Sequence, residues 1–184
     1  VLFNAFFATL EPGDEVLVPA PYWTSYPDII AVCNGRTVAM PTSSATGFRI
    51  TPDQLRAAIT PQTRWLLLNS PSNPSGAVYS AADLQALAEV LRDAPHVGIV
   101  SDEIYQHICY VPFASFRSVA PDLADRMLIV NGVSKSFAMT GWRLGWGIGP
   151  KRLIGAMVAV QSQITSGASS VSQAAAVAAL NGDQ

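Results

Sequence analysis

Charge is scarce in this chain. Only 13% of its 184 residues are charged, about half the ~25% usual for soluble domains. Eleven Lys and Arg against 13 Asp and Glu leave a formal net charge of −2. No basic run occurs, which argues against a nucleic-acid surface. Long apolar runs are lacking too: charges and prolines interrupt each one before the ~18 residues of a spanning helix, so no membrane association is expected. No charged segment followed by an apolar one opens the chain, so no signal peptide is visible. The two cysteines, Cys33 and Cys109, fit no metal spacing and no disulfide framework. They read as reduced core residues of a cytoplasmic protein. His96 and His107 match no ligand pattern, and no metal is expected.

Apolar residues are plentiful at 49%, enough for a sizeable core in one domain. So little charge implies surface covered by something outside this chain. The sequence also opens at Val1, inside an apolar pattern and without an initiator Met. Both features lead us to expect a piece of a larger protein.

Helical spacing runs over Val1–Leu10, Thr24–Cys33, Asp53–Ile59, Ala81–Arg92, Lys151–Gln163 and Val171–Leu180. Thr51 and Ser80 are N-cap residues, and Pro52 fits a first helical position. Buried-strand patterns fall at Glu15–Pro19, Arg36–Met40, Arg64–Asn69, Val97–Val100 and Met127–Asn131, with a glycine-punctuated strand at Trp142–Ile148. Strands alternate with helices and lack a polar face. That pattern predicts a three-layer α/β/α fold with a mostly parallel sheet covered on both sides.

Ligands of such sheets bind beyond the carboxyl ends of the strands. The residues there are Tyr22 and Trp23, then Asn69 and Asn73, then Asp102, Glu103 and Tyr105, then Ser134, Lys135 and Ser136, with Arg143 shortly after. Each alone has an ordinary structural reading; together they form a set with chemistry in it. Lysine usage sharpens the point, since the chain has only Lys135 and Lys151. Lys151 opens a helix after Gly149-Pro150 and reads as a surface charge. Lys135 lies between serines and before Phe137, Met139 and Trp142. An amine in apolar surroundings tends to lose its charge, and a neutral amine is a nucleophile suited to Schiff-base chemistry.

Three stretches carry a family likeness: Asn69-Ser70-Pro71-Ser72-Asn73-Pro74-Ser75-Gly76, Ser101-Asp102-Glu103-Ile104-Tyr105, and Asn131 to Arg143 (NGVSKSFAMTGWR). Together they resemble the class I/II aminotransferases, pyridoxal-phosphate (PLP) enzymes of fold type I, most of all the bacterial aspartate aminotransferase subgroup. Pro19 to Tyr26 looks like that family's ring-stacking segment. The resemblance implies that residues 1–184 are an incomplete PLP-binding large domain, without the N-terminal arm and the C-terminal small domain. It implies that Lys135 holds the cofactor as an aldimine and moves the substrate proton. Asp102 would pair with the pyridine nitrogen, Tyr105 and Asn73 would donate to its phenolic oxygen, and Trp23 would stack on the ring. Arg143 would hold the phosphate with a serine near Lys135, Ser134 or Ser136. The carboxylate suits a ring that must stay protonated to accept electrons, and the guanidinium fork suits phosphate.

The same resemblance implies amino acid and 2-oxo acid substrates, aspartate foremost, and a homodimer in the parent protein. Some of the family site is not found. The glycine-rich turn that holds the phosphate would lie just before Val1, and the substrate-carboxylate arginine and the partner-subunit tyrosine lie outside the chain. Gly132 stands where many relatives have a phosphate-binding serine. Residues 1–184 by themselves are therefore expected to be inactive. Two alternatives stay open: another PLP reaction on this scaffold, such as β-elimination or decarboxylation, and a PLP-sensing domain of a transcription regulator.

Overall fold

Strands that are apolar on both faces need cover on both, and alternate residues here feed two separate cores. The computed structural model describes residues 1–182. Six strands form one sheet: β1 (Glu15–Ala20), β2 (Arg36–Pro41), β3 (Thr63–Asn69), β4 (Gly98–Asp102), β5 (Met127–Gly132) and β6 (Gly145–Ile148). Their order is β2-β1-β3-β4-β5-β6. The first five run parallel, and β6 is antiparallel to β5.

On one face Leu17, Leu66, Leu68, Ile99 and Ile129 pack against α3 (Pro52–Ala58), α4 (Ala81–Arg92) and α5 (Phe116–Val119). On the other, Val16, Val18, Leu67, Val100 and Val130 pack against α1 (Leu2–Phe7), α2 (Ser25–Val32) and α6 (Lys151–Ile164). This is the expected three-layer α/β/α arrangement. The last helix, α7 (Ser170–Asn181), leaves Val171, Val177 and Leu180 exposed. Among the described residues no helix is long and apolar enough to cross a membrane.

Local chemistry fixes the helix ends. Ser80 Oγ accepts from Asp83 N–H while Asp83 accepts from Ser80 N–H, a reciprocal box that starts α4. Thr51 and Gln54 do the same for α3, with Pro52 in its first turn. Just past the far end of α4, Arg126 donates to the carbonyls of Leu91, Ala94 and Val97 and ties the last turn of the helix to the segment that enters β4.

Two readings change. Trp142 does not begin the last strand. Thr140–Trp142 is a 3₁₀ turn and Arg143 takes a left-handed φ of 52°, so pairing starts only at Gly145. The short α5 was not expected; its four residues are too few for a helical period to show.

One glycine bears on the packing of the sheet. A Cβ on Gly98 would lie 2.4 Å from the Trp65 ring. That ring is buried, and its Nε1 donates to Thr9 Oγ1 at 3.0 Å, which tethers it against the added group. Gly98→Ala in the full-length protein is expected to cost about 1–3 kcal/mol through overpacking, read from the urea midpoint. An unchanged midpoint would mean the indole can shift.

Candidate active site

The chain leaves β1 to build β2 on one side and returns to build β3 on the other. The switch point, where an open sheet opens a crevice, therefore lies beyond the carboxyl ends of β1 and β3. β1 ends just before Trp23, and β3 ends at Asn69. Asp102, the last residue of β4, stands beside Asn69 in register.

Asp102 is the centre of the arrangement. It is 5% exposed. Tyr26 Oη, from α2, donates to its Oδ2 at 2.8 Å, and Ile104 N–H donates to its Oδ1 at 3.2 Å. Burial pushes this carboxyl up from its ordinary value; the Tyr26 and Ile104 hydrogen bonds pull the other way and do not overcome it. Burial and the adjacent Asp102 charge likewise push the Tyr26 phenol well up, which keeps it a donor.

Asn69 ties this point to the loop after β3. Its Nδ2 donates to the Asp102 carbonyl at 2.9 Å, and its Oδ1 accepts from Asn73 N–H at 2.8 Å. Asn73 is thus held by its backbone, and its half-buried side-chain amide makes no hydrogen bond among the described residues. Glu103 points to the opposite face. Its buried carboxylate accepts from Ser101 Oγ, Ser115 Oγ and Phe116 N–H, at 3.0, 2.9 and 3.2 Å. Burial pushes this carboxyl up against those three bonds.

The other expected residues gather at the same end with looser support. Trp23 is 40% exposed, with its ring edge-on to Tyr26 at 5.4 Å between centroids. Lys135 Nζ lies 5.8 Å from the centroid of the half-buried Tyr105 ring, within cation–π range. Ser134 is half-buried. Arg143 is exposed, and its Nη1 donates to the carbonyl of Thr140 at 2.8 Å.

Lys135 corrects one expectation. Its apolar neighbours in sequence implied a desolvated amine, yet it is exposed. The turn after β5 carries it outward, while Phe137 and Met139 are only half-buried and do not wall it in. Beside it, Ser136 Oγ is buried without a hydrogen-bond partner, the one such side-chain atom among the described residues. Gly132 is closed to a side chain. A Cβ there would meet the Leu144 carbonyl at 2.9 Å and Gly145 Cα at 3.0 Å across the antiparallel pair.

Tyr26 is the residue of the candidate site that sequence reasoning passed over, since it was placed only within the ring-stacking segment. Its place in the first turn of α2, three residues after Trp23, was the available signal.

Comparison with known proteins accords with this geometry. A family model described as "Aminotransferase class I and II" matches residues 1–184. The chain belongs to the class I and II aminotransferases. It is 58% identical to an aspartate aminotransferase of Rhizobium meliloti (strain 1021), across 100% of this chain and 45% of that protein. It is 51% identical to an aspartate/prephenate aminotransferase of Cereibacter sphaeroides, across 100% of this chain and 46% of that protein. Among solved structures, the Rhizobium meliloti aspartate aminotransferase superposes with a TM-score of 0.98 at 57% identity, covering 100% of this chain and 46% of that one. The Thermus thermophilus aspartate aminotransferase with maleate superposes at 0.92 and 44% identity, covering 98% and 47%. The chain spans about half the length of these aminotransferases.

The Tyr26–Asp102 bond has a pH signature. The folded carboxyl holds its proton above the ordinary value of 3.8. Between those two values the folded state binds more protons, so stability falls as pH rises through that window. Tyr26 offsets part of the fall, because a hydrogen bond to an ionised acceptor is the stronger kind. Tyr26→Phe in the cofactor-free full-length protein is expected to cost about 1–3 kcal/mol at neutral pH, and less once Asp102 is protonated. Urea unfolding at about pH 4 and about pH 7 checks it; equal losses at both would show that the phenol does not act on the charged form.

Proposed function

We propose that residues 1–184 are the cofactor-binding large domain of a PLP-dependent aminotransferase that moves an amino group between an aspartate-like amino acid and a 2-oxo acid. The observation that carries the proposal is the buried Asp102 carboxyl, held by Tyr26 and Ile104 at the sheet's carboxyl end, on the same end as Lys135 and Tyr105.

The residues present fit the cofactor. Each Asp102 oxygen accepts one hydrogen bond and keeps a second lone pair for a ring N–H. A cation brought against this carboxylate would offset the desolvation that now raises it. Tyr105 and the Asn73 amide offer donors, and the exposed Trp23 face offers flat apolar area worth about 1–3 kcal/mol when covered. Arg143 presents a fork for a phosphate. Ser134 and the partnerless Ser136 Oγ offer hydroxyls on either side of Lys135 in the sequence.

Bound there, PLP supplies an electron sink for the substrate carbon that is being deprotonated. Asp102 keeps a proton on the ring nitrogen by holding negative charge against it. Lys135 Nζ takes and returns the substrate proton; its exposure leaves that amine free to swing. Tyr105, under the amine, limits where it rests. We read the whole protein as cytoplasmic and homodimeric. Two free thiols support the first, and exposed Ile108, Tyr110 and Val111 in the loop after Tyr105 support the second. The substrate-carboxylate clamp is assigned to the remainder of the protein.

The full-length protein is expected to transaminate aspartate with 2-oxoglutarate, and a prephenate arm follows from the Cereibacter relative's name. Lys135→Ala should cut turnover by ~10³-fold or more, with no cofactor fixed on the chain after borohydride reduction. Lys151→Ala should leave both unchanged. Asp102→Ala should keep the cofactor fixed on Lys135 and lose turnover. Label on another residue, or wild-type turnover in Asp102→Ala, would overturn the assignment.

A further inference from the structure

The opposite end of the sheet holds a feature that the proposed reaction does not use. A cleft of about 450 Å³ opens at the amino ends of β3 and β4, beside the start of α6. That volume falls within the range of small-molecule sites. Its lining carries three guanidinium groups, Arg64, Arg126 and Arg152, against one carboxylate, Asp125. In a chain with net charge −2, this is a local excess of positive charge.

The three arginines differ in what they already hold. Arg126 is spent on the backbone carbonyls of Leu91, Ala94 and Val97. Arg64 and Arg152 make no ion pair and no side-chain hydrogen bond among the described residues, and both are exposed. No acidic residue stands in the first turn of α6, where Arg152 sits. The cleft is also firmly built. Trp65 is buried against Gly98 and tethered to Thr9, and His96 Nε2 lies 3.1 Å from the Thr60 carbonyl.

We propose that this cleft is a second binding site, for a small molecule carrying a phosphate group. Two unneutralised guanidinium forks on one concave surface match an oxyanion with two charges and several acceptor oxygens. A monocarboxylate would satisfy only one of them. The volume exceeds what a bare phosphate fills, which favours a phosphate ester over the free ion.

Calorimetric titration tests this on the full-length protein, with its cofactor fixed by borohydride so that added phosphate cannot enter at the carboxyl end. The probes are inorganic phosphate, adenosine monophosphate and succinate. Saturable binding of phosphate or adenosine monophosphate is expected, weakened about tenfold or more in Arg64→Gln/Arg152→Gln. Tighter binding of adenosine monophosphate assigns an ester, and equal binding assigns the free ion. The double variant, assayed without borohydride, should keep its thermal midpoint and its transamination rate, which shows it folded. No saturation by either phosphate probe, unaltered affinity in the double variant, or tighter binding of succinate would each overturn the proposal.

Discussion

A carboxyl group buried at the end of a parallel strand is the constraint on which the rest of this site depends. Desolvating such a group costs several kcal/mol unless donors replace the lost water. Asp102 finds them in two different elements: the Tyr26 phenol from α2 and the Ile104 amide from the loop after β4. Asn69 holds the carbonyl of the same residue from β3. Satisfying one acid therefore fixes α2, β3 and β4 against each other at the crevice. The loops that carry Trp23, Asn73 and Tyr105 all start from those fixed points.

Strand alternation explains why a second acid can stand next to the first. Successive residues point to opposite faces. Asp102 turns toward the α1/α2 side, where Tyr26 is part of the core, and Glu103 toward α5, where Phe116 is part of the other core. Each carboxyl meets its own donors, and each is raised by burial, Glu103 also by the Asp102 charge. Glu103 anchors the chain beyond β4 from below, so Tyr105 is held by a loop pinned on both faces.

The layers and most element bounds were legible because both cores impose their period on the sequence. α4 is readable from Ser80 onward since its cap and its buried Leu84, Leu87 and Leu91 agree. The candidate site residues were legible only as a set, through motif likeness; Asn69, Asp102 and Tyr105 lie at one end of the sheet. Three features were not legible. Tyr26 meets Asp102 across 76 positions, a contact that no local pattern encodes. The exposure of Lys135 depends on how the turn after β5 leaves the sheet, which its apolar neighbours do not reveal. The antiparallel sense of β6 does not show in its four-residue pattern, and the connection to it passes through a left-handed Arg143, a conformation that residue type rarely adopts.

That reversed strand also accounts for the charge at the far end of the sheet. In a parallel unit each helix returns toward the amino end, so helix carboxyl ends, with their unpaired carbonyls and partial negative charge, collect there. Arg126 answers that charge at α4. Because β6 runs the other way, α6 starts at this end instead of finishing there. Arg152 therefore meets the positive end of a helix, and neither it nor Arg64 has a carbonyl row to close. The two guanidinium groups are left over because of a topological exception, and an oxyanion is the kind of group that neutralises both of them together with the end of α6.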